Sequence, residues 1–483
     1  MPKKQKRSIL KKVRGFILPA IYLFGANIFA DGDQPGPRCN VVLMVSDDHG
    51  REALGCYGNP VVGTPNLDAL AAEGTRFSNA FCTSASCTAS RSAILTGLHN
   101  HANGAYGHTH GVHHFSCFDW VKSLPVFLKE AGYRTGRVGK KHYAPERVFP
   151  FDFNPEERYW DRDDLALAEE SRTFIEGKEP FFLYWCSFDP HRNGKTVEDN
   201  PCKPDRFGNP EQSFSGDEER TYSEEKVIVP PFLSNTPEAR AELAQYYQSV
   251  SRLDRGVGRL IDILKEEGKY ENTVIIYISD NGSAFPGSKT TLYDPGMRLP
   301  CIVRAPGTKG GVVNDGLISW VDITPTILDF AGALSEDATF HGQSFRRLVG
   351  SDSANGWRRQ IYASHTFHEI TNYYPMRVIR TERYKFIWNI AWRLPFPFAS
   401  DLWESATWSA VRRDRPEQFG ARTVEAFLHR PRFELYDLKA DPNETVNLAR
   451  NPELQPLVQE FCEKIKQFQK ETNDPWRHKW EYE

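Results

Sequence analysis

Residues 84–97 read Ser84-Ala85-Ser86-Cys87-Thr88-Ala89-Ser90-Arg91-Ser92-Ala93-Ile94-Leu95-Thr96-Gly97, and the rest of the chain is organised around them. The alanines and the leucine favour a short helix, and Gly97 suits the left-handed residue that follows a helix. Cys87 would begin this helix, where backbone N–H groups favour negative charge, and Arg91 would lie one turn further along the same side. For a lone cysteine, packing as a small hydrophobic residue is the simpler interpretation. A reactive cysteine at the start of this helix is the alternative.

The composition is that of a globular protein with a large core. The chain has 483 residues, of which 40% are hydrophobic and 25% are charged. This length predicts two or three units, or one large α/β domain with a smaller one. We find no repeat and no coiled-coil heptad pattern.

Residues 1–30 predict a secretory signal peptide. A basic segment precedes the apolar run from Gly15 to Phe29, and Ala30 before Asp31 resembles a cleavage site. An uncleaved membrane anchor is the alternative. We therefore expect a secreted, periplasmic or lysosomal-type location. Loss of seven basic and no acidic residues changes the net charge from −3 to −10. Bulk charge then excludes a nucleic-acid partner, and an anionic substrate requires a local group of cations.

The nine cysteines are spread along the chain without CxxC pairs, which argues against a zinc ribbon or a thioredoxin-like site. An odd number leaves at least one cysteine unpaired. Cys87 is the natural candidate if it is chemically converted, and the pairing of the others stays open.

Four segments predict strands, three of them apolar runs, and each is followed by polar or ionisable residues. The segments are residues 40–45, 135–138, 180–186 and 273–278. The residues that follow them are Asp47 and Asp48, Lys140 and His142, Asp189 and His191, and Asp280 and Asn281. Helical segments lie between the strands, so we predict a large, mostly parallel sheet flanked by helices, with a ligand site at the carboxyl ends of its strands.

The oxygen-bearing residues at two of these strand ends predict a metal site. Asp47, Asp48, Asp280 and Asn281 offer hard oxygen ligands without soft partners, which suits Ca²⁺ or Mg²⁺ better than zinc.

Residues 99–114 contain six histidines whose spacing matches no standard zinc pattern. We interpret this segment as a polar loop that lines a pocket, with a second metal site as the alternative. The histidines are His99, His101, His108, His110, His113 and His114.

The pattern changes after residue 370. Segments 376–380, 384–388 and 433–437 predict antiparallel strands, and residues 454–469 predict a helix. We therefore divide the chain into a catalytic domain, residues 38–370, and a smaller α+β C-terminal subdomain, residues 371–483. Residues 193–230 are polar and rich in proline, glycine and charge, which predicts a long surface excursion.

Together these motifs resemble the type I sulfatases of the alkaline-phosphatase-like superfamily. The general marks are Ser46-Asp47-Asp48, the segment from Cys87 to Gly97, Gly139-Lys140-Lys141-His142, Asp280-Asn281-Gly282 and Glu434-Leu435-Tyr436-Asp437. Marks similar to the sulfamidase branch include Gly111-Val112-His113-His114-Phe115, Asp189-Pro190-His191-Arg192, Phe285-Pro286-Gly287-Ser288-Lys289 and His368-Glu369-Ile370. The likeness extends from about Asn40 to Trp476.

The resemblance implies a formylglycine that a maturase makes from Cys87 after synthesis. Its hydrated form would attack sulfur beside one Ca²⁺ per chain. The metal ligands implied are Asp47, Asp48, Cys87, Asp280 and Asn281. Three cations would offset the charge on the transferring group, namely Arg91, Lys140 and Lys289. His191 would act as the general acid, and His142 would accept the proton that lets sulfate leave.

By the same resemblance, the substrate is the N-sulfate of a terminal N-sulfoglucosamine in heparan sulfate or heparin. The implied substrate-binding residues are Asp189, His191, Lys289, His368 and Glu369. Three alternatives remain: a sugar O-sulfatase acting for example on 6-O-sulfates, a related phosphatase or phosphonate hydrolase, and a non-catalytic secreted polyanion-binding protein. A homodimer is also compatible with the sequence.

Overall fold

The computed structural model describes residues 38–156, 162–192, 206–210, 213–214, 216 and 218–482. The predicted leader lies outside these residues, and so does the start of the predicted surface excursion. Within the described chain, no helix combines the length and the apolar character needed to cross a membrane. The strands of the described residues are β1 (Asn40–Ser46), β2 (Thr75–Phe77), β3 (Ala80–Phe81), β4 (Arg134–Gly139), β5 (Phe181–Cys186), β6 (Thr273–Ser279), β7 (Arg298–Leu299), β8 (Cys301–Arg304), β9 (Val312–Asn314), β10 (Ile318–Ser319), β11 (Gln360–His365), β12 (Met376–Thr381), β13 (Tyr384–Asn389), β14 (Gln418–Phe419), β15 (Arg422–Thr423) and β16 (Phe433–Asp437).

The main sheet has seven strands in the order β4-β5-β1-β6-β8-β2-β9. Its first four strands are parallel, and they are the four segments that the sequence predicted. Beyond β6 the sheet is mixed, since β8 runs antiparallel to both β6 and β2, whereas β9 runs parallel to β2. The predicted α/β fold with a mostly parallel sheet flanked by helices is confirmed.

The central strand β1 is buried on both faces. Val41, Leu43 and Val45 pack into one hydrophobic cluster, and Val42 and Met44 pack into another on the opposite side. This alternation follows from the two-residue period of a strand. Burial of each such side chain is worth roughly 1.5–3 kcal/mol, so both faces of the strand anchor the polar residues that follow it.

Helices cover the sheet, and the longest of them among the described residues is α7 (Pro237–Glu266). It is one continuous helix of 30 residues. Gly256 and Gly258 stay inside this helix because a Cβ there would meet Asp164 at 2.4 Å and Asn66 at 2.5 Å. The α-helices of the described residues are α1 (Pro65–Glu73), α2 (Cys87–Thr96), α3 (Asn100–Asn103), α4 (Leu124–Glu130), α5 (Asp164–Glu170), α6 (Arg172–Ile175), α7 (Pro237–Glu266), α8 (Asp294–Met297), α9 (Ile323–Phe330), α10 (Ser400–Trp403), α11 (Ala406–Asp414), α12 (Val424–Leu428), α13 (Gln455–Glu471) and α14 (Lys479–Tyr482).

A second, antiparallel sheet of order β11-β12-β13-β16 lies in the C-terminal part of the chain. Helix α13 packs on it through Phe461 and Ile465. The sheet begins at Gln360, before the predicted boundary at 370/371, because β11 pairs along its whole length with β12. Residues from Arg38 onward form one compact unit. The division into residues 38–370 and 371–483 therefore stays a prediction.

The cysteines within the described residues are all free. Cys202 lies outside these residues. The pairing that the sequence left open is thus absent from the part of the chain that the structure describes.

Candidate active site

Two neighbouring strand ends bring the predicted oxygen ligands together. Strands β1 and β6 pair in parallel with Ser46 opposite Ser279, so the residues that follow both strands emerge at the same edge. The backbone N–H of Asp48 donates to Asp280 Oδ1 at 3.1 Å, and Asn281 Nδ2 donates to Asp48 Oδ1 at 2.6 Å. All three side chains are buried.

Asp48 has a left-handed backbone with a φ of 63°. Such a conformation costs about 1–3 kcal/mol for a residue other than glycine. It is held because the Asp48 N–H bonds to Asp280 and its carbonyl accepts a hydrogen bond from the Tyr246 hydroxyl at 2.9 Å. The strained turn points the Asp48 carboxylate at the first residue of α2.

Cys87 is that first residue, and Gly97 ends the helix with a φ of 67°, as the sequence predicted. The Cys87 Sγ atom lies 3.7 Å from Asp48 Oδ1. It also lies within 4.8 Å of carboxylate oxygens of Asp47 and Asp280. Burial, reinforced by Asp47, raises the pKa of the Cys87 thiol well above its ordinary value. The unmodified thiol would therefore stay protonated and would be a poor nucleophile.

The donor set fits a hard divalent cation. Three carboxylates converge, and Asp47 Oδ1 and Asn281 Oδ1 are buried without a hydrogen-bond partner. Burial raises the pKa of Asp280 to about 7, and Asp47 and Asp48 add to this increase while Arg91 opposes it. A divalent cation would reduce the repulsion among these carboxylates, and oxygen ligands favour Ca²⁺ or Mg²⁺.

Three buried cations surround the carboxylates. Arg91 Nε donates to Asp280 Oδ2 at 2.8 Å, and Lys140, which directly follows β4, contacts Asp47. Lys289 Nζ donates to Asp48 Oδ2 at 2.8 Å. These are the three cations that the sequence predicted, and they lie around one centre.

The two predicted histidines lie at this centre in different environments. His191 Nε2 lies 3.0 Å from Lys289 Nζ and 3.6 Å from Asp48 Oδ2. Burial lowers the pKa of His191 to about 4, and the adjacent Lys289 contributes to the decrease. Burial also lowers the pKa of His142 well below its ordinary value, with Lys140 adding to the effect. Both imidazoles are therefore neutral in the free protein near pH 7.

His368 is buried between two other polar residues. Its Nδ1 lies 2.9 Å from the Ser86 hydroxyl, and its Nε2 lies 2.8 Å from His108 Nε2. It therefore contacts the residue that precedes Cys87.

The two carboxylates among the predicted substrate-binding residues, Asp189 and Glu369, form hydrogen bonds with residues outside the carboxylate cluster. Asp189 accepts from Arg162 and Arg252, each at 2.7 Å, through different oxygens. Glu369 Oε1 accepts from the backbone N–H and the hydroxyl of Ser400. Asp189 and Glu369 thus each bond to residues outside the carboxylate cluster. Their roles in substrate binding stay predictions.

Sequence reasoning missed Asp401. Its Oδ2 accepts from Lys289 Nζ at 2.8 Å, and its Oδ1 is buried without a hydrogen-bond partner. Lys289 thereby bridges Asp401 and Asp48. No sequence signal marks Asp401, because it lies at the start of the short helix α10 and far along the chain from Lys289.

Comparison of the sequence with models of protein families identifies the family to which this site belongs. The sulfatase family model matches residues 39–333, which contain the carboxylate cluster, Cys87, the three cations Arg91, Lys140 and Lys289, and both predicted catalytic histidines. The chain belongs to the sulfatase family. A second model, the C-terminal domain of N-sulphoglucosamine sulphohydrolase, matches residues 287–394 of this sulfatase. Sulfatases generally use a formylglycine residue and a divalent metal ion.

Individual relatives agree with this assignment. The sulfatase is 38% identical over 461 residues to N-sulphoglucosamine sulphohydrolase of Homo sapiens, which covers 91% of each chain. It is 29% identical to an ulvan-active sulfatase of Formosa agariphila, over 90% of this chain and 80% of that one. A protein solved in complex with its substrate D-glucosamine-2-N,6-O-disulfate superposes with a TM-score of 0.66 at 22% identity, covering 91% of this chain and 99% of that one. This likeness shows the shared fold.

Proposed function

We propose that this sulfatase hydrolyses the N-sulfate of a terminal N-sulfoglucosamine in heparan sulfate or heparin and releases sulfate and a free amine. The observation that carries the proposal is the identity of 38% to human N-sulphoglucosamine sulphohydrolase over nearly all of both chains. The match of residues 287–394 to the C-terminal domain of the same enzyme supports it, because this segment contains Lys289, His368 and Glu369.

The nucleophile would be a formylglycine made from Cys87. Asp47, Asp48, Asp280 and Asn281 would hold Ca²⁺ together with residue 87, and their oxygens are the ligands that this ion prefers. Calcium and formylglycine would together supply an acidified hydroxyl group and bind the sulfate oxygens. The high pKa of the Cys87 thiol supports this conversion, since the unmodified residue is a weak nucleophile at neutral pH.

The cations would bind the sulfate and offset the charge that develops on it. Lys289 is the best placed for this role because its ammonium group bridges Asp48 and Asp401 and touches His191. Two carboxylates fix the ammonium before the substrate arrives, so little reorganisation is needed during the reaction. Arg91 and Lys140 are bonded to Asp280 and Asp47, and they would orient the metal ligands in addition to binding sulfate.

His191 would protonate the leaving nitrogen. In the free protein its pKa is about 4, so most molecules carry a neutral imidazole near pH 7. A bound sulfamate adds negative charge beside the ring, which raises the pKa and favours the protonated form. Because the active form of His191 is the protonated one and kcat/KM reports the free enzyme, kcat/KM should increase as the pH falls toward a value of about 4.

His142 would accept the proton that allows sulfate to leave. It is neutral at working pH, and its Nδ1 is buried without a hydrogen-bond partner. A neutral imidazole with a free ring nitrogen is suited to the role of general base.

The sugar would be held at the side of His368 and Glu369. His368 is fixed by Ser86 and His108, and Glu369 is fixed through one oxygen by Ser400. Asp189 would act through Arg162 and Arg252, since both of its oxygens are bonded to them. Both ring nitrogens of His368 are engaged within the protein, so His368 would shape the pocket, whereas Glu369 uses only Oε1 for Ser400 and would discriminate between substrates by a hydrogen bond to the sugar.

A comparison of two sulfated sugars tests the proposal. Glucosamine N-sulfate should be hydrolysed clearly faster than N-acetylglucosamine 6-sulfate, with Cys87→Ala protein as the blank. Faster turnover of the 6-O-sulfate would leave only the broader sulfatase assignment. The O-sulfate outcome has to be measured because a protein of the same fold acts on a sugar that carries both sulfates.

We further propose a secreted, periplasmic or lysosomal-type location, a formylglycine-generating maturase as a partner, and a homodimer. N-terminal sequencing of the mature protein should show that residues 1–30 are absent. The mass in solution should be twice that of the chain, and a monomer would contradict the dimer.

A further inference from the structure

A cluster of histidine rings lies beside the proposed catalytic centre. His108, His110 and His142 each offer one ring nitrogen, and these three nitrogens lie within 4.8 Å of one another. His108 and His142 are buried, whereas His110 is exposed. We propose that the three imidazoles form a binding site for a divalent transition-metal ion such as Zn²⁺, distinct from the oxygen-lined site at Cys87.

The hydrogen bonds around His108 prepare it as a ligand. Its Nε2 lies 2.8 Å from His368 Nε2, and His368 Nδ1 lies 2.9 Å from Ser86 Oγ. When His108 donates from Nε2 to His368, its Nδ1 carries the lone pair, and this atom is buried without a hydrogen-bond partner. Metal-ligating histidines usually donate their second ring N–H in this way, which fixes the tautomer and the ring orientation.

His110 and His142 already approach each other through ring nitrogens. His110 Nδ1 lies 2.9 Å from His142 Nε2, so one proton is shared between two nitrogens. In tetrahedral zinc sites with Zn–N bonds of about 2.0–2.1 Å, neighbouring nitrogens are about 3.3 Å apart. An increase of a few tenths of an ångström in the distance between these two nitrogens would therefore let an ion replace the shared proton.

The chemistry of this site differs from that of the site at Cys87. Three imidazoles without a carboxylate favour zinc, copper or nickel, whereas oxygen ligands favour calcium. The exposed His110 gives an ion access, and three protein ligands leave a fourth position for water. The sequence predicted that the histidine-rich loop lines a pocket, with a second metal site as the alternative. Under this proposal the loop does both.

Metal binding here should inhibit turnover. This consequence rests on the proposed function, in which His142 accepts a proton. An imidazole bound to a metal through Nε2 loses the freedom to exchange tautomers and to reorient, so it would no longer serve as that base. We therefore expect Zn²⁺ to inhibit the calcium-loaded enzyme.

Cobalt binding tests the site without any turnover. Co²⁺ is added to calcium-saturated protein, and the visible absorption typical of tetrahedral cobalt is recorded. We expect one equivalent to bind, and we expect His110→Ala to abolish the absorption. His113→Ala is the matched control, because His113 belongs to the same loop and is absent from the three-nitrogen cluster. Absorption that persists in His110→Ala, or cobalt that binds only by displacing calcium, would overturn the proposal.

Zinc inhibition is measured on the same calcium-loaded proteins, relative to the zinc-free rate of each. The half-inhibitory Zn²⁺ concentration should rise at least about tenfold in His110→Ala, which corresponds to a loss of about 1.4 kcal/mol of binding free energy, and should stay unchanged in His113→Ala. Equal inhibition of both variants would refute the site. Tetrahedral cobalt binding without zinc inhibition would support the site and refute the role of His142 as a base.

Discussion

Removal of the divalent cation should destabilise this sulfatase more at about pH 8 than at about pH 5. At the higher pH the buried Asp280 carboxyl must be ionised in the folded, metal-free protein, and the cost of this ionisation lowers the free energy of unfolding. Burial raises the pKa of Asp280 to about 7 in the metal-free protein, from 3.8. In the unfolded chain the carboxyl titrates near its ordinary value. Between these two pKa values the unfolded chain binds fewer protons than the folded one, so the stability of the metal-free fold decreases as the pH rises and levels off above pH 7.

The size of the effect follows from the pKa difference. A difference of about three pH units at about 1.4 kcal/mol per unit amounts to roughly 4 kcal/mol at about pH 8, and little of it is present near pH 4. A bound cation offsets this cost. Between about pH 5 and about pH 8 roughly two of these units apply, which amounts to about 3 kcal/mol. With an unfolding entropy of about 2.1 cal/mol/K per residue, the cation-dependent shift of Tm should be larger at the higher pH by on the order of 3 °C.

The assay is thermal unfolding of metal-free and calcium-loaded protein across this pH range. Asp280→Asn should remove most of the pH dependence of the calcium effect. Asp254→Asn is the matched control, because Asp254 is a buried carboxyl with a pKa of about 6 that binds the backbone N–H groups of Asn66 and Leu67. A calcium-dependent Tm shift of equal size at both pH values would refute the reasoning, and so would an unchanged pH dependence in Asp280→Asn.

Three further changes test the catalytic assignments. Cys87→Ala should abolish turnover and leave Tm nearly unchanged, and the native peptide that contains residue 87 should be lighter than its thiol form by mass spectrometry; a free thiol with full activity would contradict the mechanism. His191→Asn should lower kcat/KM by about 10²–10⁴-fold and remove its increase toward acidic pH, because the titrating group has a pKa of about 4; a pH profile of unchanged shape would argue against His191 as the acid. Glu369→Gln should lower kcat/KM for the sugar substrate far more than for a small aryl sulfate, and equal losses would show that Glu369 does not recognise the sugar.

The sequence was sufficient to predict the parallel strands of the main sheet and the polar residues at their carboxyl ends. Residues 40–45 and 273–278 are continuous apolar runs, which become strands buried on both faces. The polar residues after them must then emerge at the carboxyl edge, so Asp47 and Asp280 were predictable as neighbours. The start of α2 at Cys87 was predictable as well, because the helix-forming residues and Gly97 are local signals.

The structure also shows contacts that the sequence did not indicate. The C-terminal sheet starts at Gln360, since strand pairing between β11 and β12 carries no local mark that separates it from the preceding chain. The role of Asp189 in substrate binding stays a prediction, and the structure adds that its two oxygens accept hydrogen bonds from Arg162 and Arg252. Arg252 comes from α7, and no spacing rule in the sequence connects that helix with residue 189.

The sequence by itself determined which residues follow the buried strands, because apolar periodicity and helix caps are local properties of the chain. Only the tertiary structure decided that Asp401 bonds to Lys289 and that His108 and His110 meet His142. These contacts join residues that are distant in the chain or that lie on irregular loops. Their distances are set by the packing of whole elements, and that packing depends on all the residues of the core at once.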